Sequence, residues 1–354
     1  MTQHSTATDA PVTISIAFVQ GMLAGVRERG EACEVYLQDA GIAAELLDQP
    51  AGRVTADQYI ALFRSLTHRR DDDLLGFLSR PLRRGSIALV FRAATSATTI
   101  EMAMQRAAHT FGLLQDDLVV KPVRDGALAG WAVQFCDAAR QWPAFLHEVL
   151  LRVFWRLLAW LAGGRLPVAR FDFAFDVPAY AGGYSAVFTA PLRFGQAQSA
   201  LWFDAELMRL PVRRDNIALR KFMADAEAQV IVPRREQDDV AGRIRQYLQR
   251  MQPAWPGLAS CSDAVHMSTS TLQRRLAQEG TSFQSLKDDL RRDLAISRLI
   301  TSSVPLATLA SELGFADSAA FQRAFKSWTG SAPGPYRRAG PADMPAQVGN
   351  ESNR

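Results

Sequence analysis

Cysteine is scarce in this chain: three residues in 354, at Cys33, Cys136 and Cys261. An odd number spread this widely excludes a disulfide framework and fits a reducing cytoplasm. Histidine is scarce as well, with five residues, and no Cys or His stands at the close spacing of a metal site. Long apolar runs are missing. The most apolar helical stretch, Val149 to Ala162, is too short to cross a bilayer and carries Arg152 and Arg156. Met1 to Pro11 is polar and has no apolar segment of the kind a signal peptide needs, so a cytoplasmic location is expected. A large charge surplus is missing too. The net charge of +4 permits a nucleic-acid partner without requiring one. From Glu236 to Arg338 there are 13 Lys and Arg against 10 Asp and Glu, so charge alone does not decide the matter.

What is present is hydrophobic periodicity of two kinds. Phe18, Met22 and Val26 are four apart, and Met104, Ala107, Ala108 and Phe111 share one side of a helix over Ile100 to Leu114. Tyr59, Ile60, Phe63 and Leu66 mark the inward side of another, over Ala56 to Thr67. The period then changes. Leu118 to Val123 and Trp131 to Phe135 are expected strands joined by a turn at Arg124 to Ala127. Phe171, Phe173 and Phe175 alternate with Asp172, Ala174 and Asp176, which predicts a strand with the aspartates outward. Shorter strands are expected near Val187, Leu192 to Phe194 and Leu201 to Phe203.

The fold class read from this is an α+β N-terminal domain followed by an all-α C-terminal domain. The expected boundaries are a disordered tail at 1–12, the α+β domain at 13–212, a linker at 213–237, the all-α domain at 238–338 and a second tail at 339–354.

The last third contains an internal repeat. Leu272-Gln273-Arg274-x-Leu276 matches Phe321-Gln322-Arg323-x-Phe325 at an offset of 49 residues. A short apolar helix precedes each copy, Leu258 to Val265 and Leu306 to Leu313. Ser268 and Asp317 are suited to N-cap the second helix of each pair, and Gly280 and Gly330 to end it. Gly314 fits a tight turn with positive φ, and His266 holds the matching place. Two helix-turn-helix units follow, with recognition helices near 269–279 and 318–328. Leu272 and Leu276 point inward, which turns Ser270 and Arg274 outward with Gln273 on the flank. Phe321 and Phe325 do the same for Ala319 and Arg323. Arg can bind guanine O6 and N7 together, and Gln adenine N6 and N7. Between the units Ser282 caps a helix to about Ile300, with a buried stripe of Leu286, Leu290, Leu294 and Ile296. Such a helix would hold the units for successive major grooves about 34 Å apart.

With Met267-Ser268, Leu309 to Phe315, Phe321 to Gly330, Pro333 and Tyr336-Arg337 added, residues 238–338 resemble the C-terminal DNA-binding domain of the AraC/XylS family. The resemblance implies base reading from the positions of Ser270, Gln273, Arg274, Gln322 and Arg323. The full DNA-binding set expected is Ser268, Ser270, Gln273, Arg274, Ser318, Gln322, Arg323 and Lys326. Thr269-Ser270 stands where relatives often carry Pro-Arg, Ser262 where Ala is usual, and Ala319 where Ser is common. Tyr184 to Phe188, Pro191 to Gly195 and Ala200 to Asp204 resemble the arabinose-binding-type effector domain of the ornithine-utilisation-regulator-like branch of that family. The resemblance implies a ligand-responsive transcription regulator, an activator in the first instance with repression open. Its expected partners are a double-stranded DNA operator, an unidentified small-molecule effector, RNA polymerase and a second copy in a homodimer, with no membrane.

Enzyme chemistry finds no pattern here. Neither a phosphate-binding Gly-rich loop nor a dinucleotide fingerprint occurs. His147-Glu148 begins like a zinc-protease motif, but position 151 is Leu. His109 and His147 are expected to be partly buried packing residues, and the three cysteines likewise. No cofactor or metal is expected, and no catalytic residue. Effector residues are not assigned. Arg152 and Arg156 either bind a carboxylate ligand or sit solvated on a core-packing helix. An enzyme fused to a DNA module, and an adaptor whose helical end binds protein, are the alternative functions.

Overall fold

A computed structural model describes residues 11–137, 139–164, 166–188, 190–224 and 240–338. The tail expected at 339–354, most of that at 1–12 and residues 225–237 of the expected linker lie outside the described residues. The chain divides into two compact units. One comprises Ile14–Tyr36 with Tyr59–Asp239, the other Met1–Thr13, Leu37–Gln58 and Val240–Arg354.

In chain order the first 224 residues form β1 (Thr13–Ser15), α1 (Ile16–Glu28), α2 (Glu34–Asp39), β2 (Arg53–Thr55), α3 (Ala56–Arg70), α4 (Ser86–Thr95), α5 (Ile100–Leu114), β3 (Leu118–Asp125), β4 (Leu128–Phe135), α6 (Ala144–Leu161), β5 (Arg170–Asp172), β6 (Leu192–Arg193), β7 (Ser199–Asp204) and α7 (Asn216–Ala224). The main sheet has the order β3-β4-β7-β5-β6, antiparallel except for β5 with β6. The hairpin expected from the turn residues is present: Asp125 pairs with Leu128 across Gly126, whose φ is 58°. Gly130 of β4 leaves room for β7, since a Cβ there would lie 2.8 Å from both the Leu201 carbonyl and the Trp202 ring.

α6 covers this sheet because its apolar positions recur every three or four residues. Leu146, Leu150, Phe154, Leu157, Leu158 and Leu161 are all fully buried. Trp131 of β4 stacks on Phe154 with centroids 4.7 Å apart. Emptying one such site by truncation to Ala costs about 2–5 kcal/mol.

Three expectations differ from the structure here. The alternation after Arg170 yields a strand of three residues, and Asp172 is buried instead of outward. It accepts from Trp202 Nε1 at 2.6 Å and from Arg170 Nε at 3.2 Å, and these donors replace the water it loses. Val187 caps a 3₁₀ helix (Ala181–Ala186) and is in no strand. On α3, Leu62 is fully buried while Ile60 and Phe63 are half-buried.

The second unit holds α8 (Val240–Arg250), α9 (Leu258–Ala264), α10 (Thr269–Gln278), α11 (Phe283–Thr301), α12 (Leu306–Glu312), α13 (Ser318–Thr329) and α14 (Gly334–Arg338). α11 is its spine. Leu286, Leu290, Ala295, Ile296 and Leu299 are buried along it. Leu294, expected in that stripe, is half-buried, and Asp293 is buried in its neighbourhood. The carboxylate is tolerated because the Thr13 hydroxyl and Arg292 donate to its Oδ1. Thr13 is held in turn by Arg53, whose Nε donates to its Oγ1 at 2.6 Å and whose Nη2 donates to its carbonyl at 2.7 Å. The Arg53 backbone N–H donates to the Tyr336 hydroxyl at 3.2 Å. The Leu37–Gln58 segment thus packs on α11 and α14, far from it in sequence.

Candidate nucleic-acid interface

Each helix pair is built by the same local chemistry. The turn after α9 brings His266 to φ 57°, and that after α12 brings Gly314 to φ 72°. The next amide reaches back five residues in both: Met267 N–H donates to the Ser262 carbonyl at 3.0 Å, and Phe315 N–H to the Ala310 carbonyl at 2.9 Å. Ser268 then caps α10 by accepting from Thr271 N–H at 3.2 Å. Asp317 caps α13 by accepting from Ala320 N–H at 2.7 Å. These are the caps expected from the sequence. His266 and Gly314 lie 48 residues apart and the two caps 49, so the second turn carries one extra residue. Gly330 ends α13 in the left-handed region at φ 76°.

Ser262, which departs from the usual Ala, is buried at the helix crossing. Its hydroxyl donates to the Ala259 carbonyl at 2.7 Å, so the extra polar atom is satisfied within its own helix.

Leu272, Leu276, Phe321 and Phe325 are fully buried. Phe325 meets Tyr336 edge-on at 5.2 Å, and Phe321 packs against Phe315 at 5.8 Å. The opposite faces of α10 and α13 are open to solvent. Ser268, Ser270, Gln273 and Arg274 are exposed on the first, and Gln322, Arg323 and Lys326 on the second; Ser318 is half-buried at the start of α13. Arg274, Arg323 and Lys326 form no side-chain hydrogen bond or ion pair among the described residues. Gln322 Nε2 reaches Ser318 Oγ at 3.5 Å, and Ser268 Oγ is shared among its cap, Ser270 and Thr271. Arg275 is a further exposed cation on α10 that the repeat did not single out, because its counterpart in the second copy is Ala324. The exposure of every residue from Gln273 to Arg275 is the signal that adds it.

In the other unit, Arg152 is not solvated. It is buried on α6 one turn from Glu148, also buried. Glu148 Oε1 accepts from the Tyr180 hydroxyl at 2.8 Å and from the Tyr184 hydroxyl. Burial pushes its carboxyl pKa up, and the tyrosine hydrogen bonds and the Arg152 charge oppose that. Arg156 is half-buried. His109 is exposed, contrary to expectation, and Cys136 is an exposed thiol while Cys261 is buried. Among the described residues no helix is long and apolar enough to cross a membrane.

The comparison with protein families decides the assignment. The arabinose-binding domain of AraC transcription regulators, N-terminal, matches residues 30–212, more than half of the chain. This chain belongs to the AraC family of transcription regulators. A helix-turn-helix domain family matches residues 261–339 of the same regulator, spanning α10 to α14. The ornithine utilization regulator of Pseudomonas aeruginosa is 27% identical over 328 residues, which is 92% of this chain and 96% of that protein. The regulator VqsM of the same organism is 26% identical over 57% of this chain and 62% of its own. The crystal structure of the transcriptional regulator CdpR from Pseudomonas aeruginosa covers 92% of this chain and 99% of its own, at 20% identity and a TM-score of 0.32. The AraC-family regulator described here is thus a DNA-binding transcription regulator with a ligand-binding type of N-terminal domain, and its relatives are named as regulators, not as enzymes.

Proposed function

We propose that this regulator reads its operator by placing α10 and α13 in two adjacent major grooves on one face of a duplex, about 34 Å apart. The observation that supports the reading is the matched build of the two pairs: a side-chain cap after a positive-φ turn, a buried apolar pair, and an exposed Gln-Arg on the far side. Arg274 and Arg323 take guanines, and Gln273 and Gln322 take adenines. Ser268, Ser270, Ser318 and Lys326 hold the backbone and neighbouring edges. Residues 13–212 form the effector-binding and dimerisation domain, 213–237 the linker and 238–338 the DNA-binding domain, with the Leu37–Gln58 segment packed on the last. The regulator acts in the cytoplasm as a homodimer and contacts RNA polymerase to activate transcription. Ornithine, from the name of the relative in Pseudomonas aeruginosa, is the first effector to try.

The test is footprinting on genomic DNA, followed by titration of the footprinted duplex and a scrambled one at physiological salt. A specific site bound about 10³-fold or more tighter than the scramble is expected. Equal affinities would overturn the reading.

A further inference from the structure

The ligand-binding unit contains a cleft of about 830 Å³ whose lining the DNA-binding role does not use. That size suits a small molecule. The end of β4, the start of α6 and the stretch after β5 form it, through Phe135, Trp142, His147, Phe175, Asp137 and Asp176 among others.

His147 is the telling residue. It is 5% exposed, and it lines the cleft. Phe135 and Phe175 pack edge-on to its ring at 4.6 and 5.2 Å. Its Nδ1 lies 2.8 Å from Ser199 Oγ, and that oxygen already accepts from Ala174 N–H at 2.9 Å. Ser199 is fully buried, so its own proton needs an acceptor, and His147 Nδ1 is the one within reach. The proton of the neutral ring therefore sits on Nε2. Nε2 has no partner among the described residues, and it is the ring nitrogen left for the cleft. Burial lowers the imidazole pKa to about 4, so the ring stays neutral at neutral pH and offers one N–H donor.

The charges around it are lopsided. Glu28, Asp137, Arg140 and Asp176 line the cleft. The charge of Arg140 is paired: its Nη2 donates to Glu28 at 2.9 Å and to the Phe77 carbonyl at 3.2 Å, and its guanidinium lies 4.0 Å over Trp142. Asp137 and Asp176 have no cationic partner among the described residues, although Asp137 Oδ1 accepts from the Ala139 and Arg140 N–H groups at 2.9 and 3.3 Å. The cleft thus offers a donor at depth, aromatic walls and two carboxylates not paired with a cation, of which Asp176 is the one without a backbone donor among the described residues.

We propose that this cleft is the effector site and that it takes an organic cation carrying an oxygen acceptor on an apolar skeleton. The acceptor meets His147 Nε2–H, the skeleton lies along the aromatic rings, and the cation faces Asp176 and Asp137. Anions of the same shape are disfavoured, because Glu28 balances the Arg140 charge and Asp137 and Asp176 leave the lining net negative. This rests on the ligand-responsive reading of the regulator.

The test uses the full chain and three probes of one skeleton: tyramine, phenethylamine without the hydroxyl, and 4-hydroxyphenylacetate with the charge reversed. Calorimetry should show tyramine binding, phenethylamine weaker by several-fold, and the anion weaker than tyramine by at least about tenfold. Asp176→Asn should close the gap between cation and anion by several-fold. In the wild-type protein labelled with ¹⁵N-histidine, the His147 signals should report the Nε2–H tautomer and shift on tyramine addition, a readout that needs no variant to fold. No tyramine binding, equal or tighter binding of the anion, an Asp176→Asn protein with unchanged preference, or unmoved His147 signals would each overturn the proposal. Operator affinity is measured in parallel. Tyramine binding that leaves operator affinity unchanged would retain the cleft as a binding site but sink its role as the effector site.

Discussion

Replacing Arg274 or Arg323 by Ala should weaken operator binding without touching the fold. Both side chains are exposed and make no intramolecular hydrogen bond or ion pair among the described residues. Truncation therefore opens no cavity and leaves no buried partner orphaned, and the change in stability should stay within about 0.5 kcal/mol. The loss falls on the complex. A bidentate arginine on guanine contributes about 1–3 kcal/mol of discrimination, which is roughly 5- to 160-fold in affinity. The two arginines lie on separate helices and share no partner, so the double variant should lose about the sum of the two energies. Fluorescence anisotropy with the footprinted duplex, repeated with each base of the site changed, reads both affinity and preference. Each single variant should become indifferent to one guanine. Arg298→Ala is a control. Its guanidinium is paired with Glu312 at 3.1 Å, so its charge is already engaged within the protein. Should both Arg274→Ala and Arg323→Ala keep full affinity and full base preference, the groove-reading role of these helices would be refuted.

Other consequences are open to simpler measurements. Asp317→Ala removes the acceptor for Ala320 N–H at the start of α13 and should cost about 1 kcal/mol; an unchanged urea midpoint would contradict the cap. Gly314→Ala forces a side chain into φ 72° with its Cβ 2.9 Å from Trp255 Cδ1, and a loss of about 1–3 kcal/mol is expected in the same assay. His147 makes stability depend on acid. Its pKa is about 4 in the fold against 6.5 when exposed, so the unfolded chain binds the extra proton between those values. The stabilisation is whole above pH 6.5, falls by up to about 3 kcal/mol as pH drops to 4, and then levels off. A His147→Gln protein that keeps the same slope in denaturant titrations would exclude this source.

The elements legible in the sequence were those whose cause is local. The recognition helices were expected near 269–279 and 318–328 and run over Thr269–Gln278 and Ser318–Thr329. Caps, a glycine end and a four-residue apolar spacing all lie within one or two turns, so they can be read from the chain. What escaped depends on partners far away in sequence. Asp172 looks like an outward residue until Trp202, thirty positions on, supplies its donor. Asp293 is buried only because Thr13 and its Arg53 brace, far away in the chain, reach it. Cys136 and His109 look like packing residues in the sequence, but position on the strand end and helix face leaves them exposed. The helix α4 carries little sequence signal, because its apolar run Ile87 to Phe91 is short and follows a left-handed Gly85 at φ 91°. For the binding residues the balance is the same. Periodicity orders the outward set, but exposure without partners is a property of the folded surface.

The spine helix α11 explains why two separately capped pairs can act together. Near its N-terminal end Lys287 Nζ donates to the Trp255 and Pro256 carbonyls, the residues that lead into α9. One turn later Arg291 lies 5.0 Å over the Trp255 ring and 4.9 Å over Phe315, and its Nη2 approaches the Gly314 carbonyl at 3.4 Å. Trp255 closes the circuit by donating its Nε1–H to the Glu312 carbonyl at 2.9 Å. The approach to the first pair and the turn of the second are therefore gripped by one cation, Arg291, and one indole, Trp255, with Lys287 adding a hold on the first. A flat ring and a guanidinium stacked on it tolerate little rotation about α11, and burial strengthens each contact. Relative tilt between the pairs is thus resisted by aromatic packing as well as by the backbone of one helix. Tilt about the spine would change the spacing between α10 and α13, and the proposed reading of two grooves about 34 Å apart depends on that spacing.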